Sequence, residues 1–185
     1  MGEIDDAIER ADQEAFTRTP PKTLRGRINF LLKQLKTTRA VAEELGVTRR
    51  SVERYRTGER KNPPQEIQRR IDAAVRSRWQ PQVRRRRRKE AASTGGITVE
   101  TRARFGYTAP IGTTDDGRFR RLTVHLPPAY AQRLFDAREA GAGDRQLRQI
   151  IADGFKETYF QDGGARALGL SDVALNDIDY IDLDY

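Results

Sequence analysis

The sequence predicts an α+β chain: an N-terminal all-α domain, then a small α+β domain with antiparallel strands and two C-terminal helices. Three observations lead there. Apolar residues recur at helical spacing through the first half, with Thr19-Pro20-Pro21, Pro63-Pro64 and Pro81 as breaks. From Ile97 to Tyr107 the period changes to strict alternation, and it does so again from Arg120 to Leu126. Two further helical patterns, separated by Gly141-Ala142-Gly143, follow the second strand.

The 185 residues hold 35 Lys and Arg, 27 Asp and Glu and no cysteine, for a net charge of +8. Disulfides and thiolate metal sites are therefore excluded. No apolar run approaches the roughly 18 residues of a membrane span and no signal-peptide core stands at the start, which predicts a cytoplasmic protein without membrane contact. The charge is segregated. Between Lys22 and Lys89, 22 Lys and Arg face 6 Asp and Glu, whereas Gln161 to Tyr185 carries one Arg and six Asp. A polyanion-binding body with an acidic tail fits that distribution.

In chain order, Ile4, Ile8, Ala11 and Phe16 mark a short amphipathic helix in an N-terminal arm, 1–21. A DNA-binding domain is expected over 22–80. Its first helix carries Leu24, Ile28, Leu31, Leu32 and Leu35 on one face. The next segment, Thr38 to Lys61, has Ala42 four residues before Gly46 and Val52 six after it, with Val41, Leu45, Val47 and Tyr55 apolar. A small residue for the helix contact, a glycine for the turn and locking apolar side chains make a helix-turn-helix, although an ordinary helical hairpin shares the pattern. Thr48 would cap the second helix and aim Arg49, Arg50, Ser51 and Arg54 at DNA. Ile67, Ile71, Ala74, Val75 and Trp79 form the stripe of a last helix.

An Arg-rich linker, 81–96, follows. Arg84, Arg85, Arg86, Arg87, Arg88 and Lys89 form a run that would be solvated and mobile and would clamp the DNA backbone, and Ala91 to Gly96 reads as a flexible boundary. The α+β domain is expected over 97–160, with the loop 108–117 between its strands. Leu122, Val124 and Leu126 face inward from the second strand; Tyr130, Ala131, Leu134 and Phe135 do so from the first helix. Asp144 is expected to cap a second helix with Leu147, Ile150, Ile151, Phe155 and Tyr159. Strand, helix, glycine turn, helix resembles the ribbon-helix-helix module, which implies a homodimer paired through its strands; a monomeric α+β core uses the same elements. The acidic tail, 161–185, ends in NDIDYIDLDY and by itself should be disordered, serving as a docking peptide, a shield over the DNA surface or a solubilising tail.

Catalytic groups are sparse. His125 is the sole histidine, so no His-based metal site is expected and a Ser-His-Asp triad elsewhere in the chain is excluded. The hydroxyls and carboxylates of Thr113, Thr114, Asp115 and Asp116 offer a nucleophile beside acidic support, in what is otherwise ordinary turn chemistry.

With its helix-turn-helix, its RRRRRK run, its GYTAP and GTTDDGR loop and its acidic end, the chain resembles the telomere terminal proteins of linear Streptomyces-type chromosomes and plasmids. The resemblance implies a protein that becomes covalently linked to the DNA 5′ end, primes the synthesis that fills in the 3′ overhangs, and is nucleoid-associated at replicon ends. It places the attachment hydroxyl at Thr114, with Thr113 as fallback. It also implies that the chain is not itself an enzyme. A partner DNA polymerase would supply Mg2+ and the deoxynucleotide, with telomeric DNA and a telomere-associated protein as the other partners. Two alternatives remain: a helix-turn-helix transcriptional regulator with a dimerising C-terminal domain, and a plasmid partition or packaging factor.

Overall fold

Threonine hydroxyls start three consecutive helices in the computed structural model, which describes residues 2–108, 118–165, 167 and 169–185. Thr23 Oγ1 accepts from Gly26 N at 3.1 Å, Thr37 Oγ1 from Ala40 N at 3.1 Å, and Thr48 Oγ1 from Ser51 N at 3.2 Å. Each replaces an intrahelical partner that a first turn lacks. The chain forms two units, Phe16–Gln82 and Met1–Ala15 with Val83–Tyr185. The protein is α+β, with eight α-helices and a three-stranded antiparallel sheet among the described residues.

Unit Phe16–Gln82 contains α2 (Leu24–Leu35), α3 (Thr38–Leu45), α4 (Arg49–Thr57) and α5 (Gln65–Arg78). Ile28, Leu31, Val41, Ala42, Leu45, Val52, Tyr55, Ile71, Ala74 and Val75 close its core. Between α3 and α4, Gly46 takes φ +64°, and Val47 N donates to Ala42 O at 2.9 Å. This left-handed C-terminal cap supplies donors to two carbonyls that α3 leaves open. Trp79 packs on Phe30 at 5.0 Å between ring centroids, and its indole N–H donates to Arg18 O. Arg27 to Asp72 and Arg78 to Glu44 tie α5 to α2 and α3.

The other unit is discontinuous in sequence. It contains α1 (Glu3–Glu14), α6 (Pro81–Glu90) from Val83 onward, a π-helical turn (Ala91–Gly95), β1 (Ile97–Thr108), β2 (Arg118–Leu126), α7 (Pro128–Glu139), α8 (Asp144–Phe155) and β3 (Asp172–Asp184). The sheet order is β2-β1-β3. Ile97, Val99, Ala103 and Phe105 of β1 join Leu122, Val124 and Leu126 of β2 and Val173, Leu175, Ile181 and Leu183 of β3 on one buried face. α1, α7 and α8 cover that face. Thr101 is buried among them and donates to Tyr180 O at 2.7 Å.

Several expectations change. Asp172–Asp184 of the acidic tail form a strand rather than a disordered segment, because every second residue at its two ends buries an apolar side chain and β1 supplies a ladder. The N-terminal helix is no separate arm; Ile4, Ala7, Ile8 and Ala11 belong to the α+β core. The Arg-rich stretch is helical rather than a mobile linker, and Ala91 of the expected flexible boundary is buried. Asp144 does not cap α8. It lies in the first turn, where its Oδ1 accepts from Ile4 N at 3.1 Å and its Oδ2 from Arg148 at 2.6 Å, so it holds α1 instead. β2 finds its ladder in β1 of the same chain, so the strand pairing that motivates a ribbon-helix-helix dimer is met within one chain.

β3 departs from regular pairing twice. Arg102 pairs with Tyr180, Ala103 with Ile178 and Arg104 with Asn176, so Asp179 and Asp177 are extra residues, and Asp177 takes φ +40°. Bulges of this kind re-aim a side chain. Both aspartates turn to arginines of β1, Asp179 to Arg102 at 2.9 Å and Asp177 to Arg104 at 3.7 Å.

Candidate nucleic-acid interface

Three basic surfaces compete for the role. The first is the start of α4. The Thr48 cap fixes its first turn, and the Thr48 and Ser51 hydroxyls lie 3.0 Å apart. Thr48, Arg49 and Arg50 are exposed, and Ser51 is half-buried. Arg49 and Arg50 have no ion-pair partner among the described residues, whereas Arg54 pairs with Glu59 at 2.9 Å and Arg56 with Glu53 at 2.8 Å. A helix N-terminus with exposed guanidiniums attracts phosphate through both its unpaired N–H groups and its dipole.

The second is α6, where helical geometry divides the cationic run. Arg84 is 7% exposed, and Asp12 of α1 is fully buried. Arg84 Nη2 donates to Glu9 Oε1 at 2.6 Å and Nη1 to Glu9 Oε2 at 3.0 Å, while Arg88 donates to both Asp12 oxygens. Arg138 of α7 reaches Asp5 at 2.5 Å and Glu9 at 3.5 Å, and the Tyr185 hydroxyl donates to Asp12 Oδ1 at 2.7 Å. Burial alone would raise the Glu9 carboxyl, but the hydrogen bond and charge of Arg84, with Arg138 behind them, hold it below the usual range. Burial and the Asp12 charge push the Tyr185 phenol up. Arg84 and Arg88 therefore bind the protein's own carboxylates rather than a DNA backbone, correcting their assignment to the clamp. Arg85, Arg86 and Lys89 lie on the exposed side, with Arg87 half-buried. Residues i and i+4 share a helix face, which a mobile run would not have.

The third surface is the solvent side of the sheet, where Arg102 and Arg104 of β1 lie beside Phe119 and Arg121 of β2. It was not expected. Its signal was an aromatic at the outward phase of β2, one position before the segment over which the alternation is regular. His125 is also outward, with Nδ1 at 3.2 Å from Thr98 Oγ1, as a strand surface residue would be.

Thr113, Thr114, Asp115 and Asp116 lie outside the described residues. The segment that carries them connects β1 to β2, whose paired residues nearest to it are Phe105 and Arg118. Among the described residues, no group of three or more His, Cys, Asp and Glu is placed to hold a metal ion, and no helix is long and apolar enough to cross a membrane. No protein-family model, curated protein or solved structure matches the chain.

Proposed function

We propose that the chain is a DNA-bound protein primer of the telomere terminal type, with α3 and α4 acting as a helix-turn-helix. The observation that carries the DNA-binding half is the exposed pair Arg49 and Arg50 on the Thr48-capped first turn of α4. The attachment half is supported by the sequence of residues 106–117. In this reading the Thr114 oxygen attacks the α-phosphorus of a deoxynucleoside triphosphate. A phosphodiester bond forms, the bond to the β-phosphate breaks, pyrophosphate leaves and the hydroxyl proton passes to solvent. The Mg2+ ions of the partner polymerase would activate the hydroxyl and stabilise the leaving group.

The test is transfer of a labelled deoxynucleotide onto the chain in the presence of a DNA polymerase. Thr114→Ala abolishes labelling and leaves duplex DNA binding intact. Full labelling of Thr114→Ala, persisting when Thr113 is also alanine, overturns the attachment assignment. Arg49→Ala with Arg50→Ala weakens duplex binding by about 10-fold or more at moderate salt and leaves labelling of the free chain unchanged. A transcriptional regulator would show the binding loss and no covalent adduct with any variant.

A further inference from the structure

Phe119 is 49% exposed and is the large apolar side chain left in solvent among the described residues. Its register partner is Arg104, and the guanidiniums of Arg104 and Arg102 stand 5.3 and 5.9 Å from its ring centroid. Beside them, Arg121 lies opposite Arg102 on the same outward face. An exposed ring within reach of several cations offers a π-face to a base and charge to the flanking phosphates.

Each of these arginines already leans on a carboxylate. Arg102 meets Asp179 at 2.9 Å, Arg104 meets Asp177 at 3.7 Å and Arg121 meets Glu100 at 2.6 Å. All six side chains are more than a third exposed, between 38% and 72%. Such pairs hold weakly, so phosphate oxygens can replace the carboxylates with the same geometry. The aspartates facing Arg102 and Arg104 are the two that β3 bulges outward. They stand where phosphates would stand.

We infer that the solvent face of the sheet binds single-stranded DNA: a base stacks on Phe119, and the phosphates on either side displace Asp177 and Asp179 from Arg104 and Arg102. A duplex is a poor ligand, because its bases already have both faces covered by their neighbours. The choice of DNA over RNA rests on the proposed function; the stacking and exchange do not.

The test is fluorescence anisotropy of the full chain with labelled oligothymidylate. Phe119→Ala lowers its affinity by about 10-fold or more. Phe119→Tyr keeps it, and the double change Asp177→Asn with Asp179→Asn raises it by about 2–10-fold, by removing the competing carboxylates. Asparagine tolerates the positive φ of position 177, so that variant keeps the bulge. Duplex affinity stays constant in all three. Wild-type affinity in Phe119→Ala overturns the proposal and leaves the face to a protein partner. Tighter, Phe119-dependent binding of oligouridylate overturns the assignment to DNA. A chain that accepts no labelled nucleotide yet binds oligothymidylate through Phe119 fails the attachment reading and keeps this one.

Discussion

A chain ended after Ser171 will lose the cooperative unfolding transition of the sheet unit. The removed residues include Val173, Leu175, Ile181 and Leu183, all buried in its core. Each such side chain stabilises a fold by about 1.5–3 kcal/mol. Their sum is comparable with the roughly 5–15 kcal/mol that separates a whole domain from its unfolded state. Other ties go with them: the bond from Arg10 to Ile181 O at 2.6 Å, its ion pair with Asp182 at 3.0 Å, and the Tyr185 hydroxyl on Asp12. Hydrogen exchange at the β1 amides checks this, since β1 would become an edge strand in the shortened chain. A solubilising tail could be cut away with those amides still protected.

Asp12→Ala is the second large loss, on the order of 3–5 kcal/mol, because it leaves the half-buried Arg88 without an ion-pair partner. Arg88 would lose its carboxylate, Arg84 and Arg138 a neighbouring one, and Tyr185 the nearer of its two acceptors. Urea unfolding of the full chain measures it. Arg84→Met combined with Glu9→Leu should cost less than Asp12→Ala, since replacing both partners by apolar side chains strands neither charge. The same network makes stability depend on pH. The folded value of Glu9 lies below its ordinary 4.5, so its contribution is present above that value and is lost as pH falls through the folded one. At the other end, burial and Glu157 push Tyr130 up to about 12, and burial and Asp12 raise Tyr185. Their contribution is complete below the ordinary 10.0 and is lost as pH climbs toward the folded values. Thermal unfolding should therefore show a plateau bounded by acid and alkaline decline, and Asp12→Ala should flatten the alkaline limb.

Much of the architecture was legible where order is local. The alternation of β1, the inward residues of α7 and α8 and the Thr48 cap follow from periods and capping chemistry that a short window holds. β3 was misread because its bulges shift the phase twice. Ile178 and Tyr180 fall on even positions, and Ile181, Leu183 and Tyr185 on odd ones, so no single alternation runs through the segment. The inward turn of Arg84 and Arg88 was illegible for another reason. Their carboxylates lie more than 70 residues upstream in sequence, on a helix that reads only as short and amphipathic. Glu9 and Asp12 beside an apolar stripe were the only hint. At the interface, helix spacing pointed to Arg49 and Arg50, whereas the Phe119 face depends on register between strands, which spacing along one strand does not contain.

The discontinuity of the sheet unit also sets an order of events during synthesis. Residues 16–82 find every helix of their core within that stretch and can close as soon as α5 has left the ribosome. α1 emerges before all of them, yet its apolar stripe and its two buried acids have no counterpart until α6, α7 and finally β3 exist. At ordinary elongation rates the interval from residue 82 to residue 185 is about 5–20 s. For that time α1 is an orphan, available to a chaperone or to the wrong neighbour, and β3 is what ends its wait.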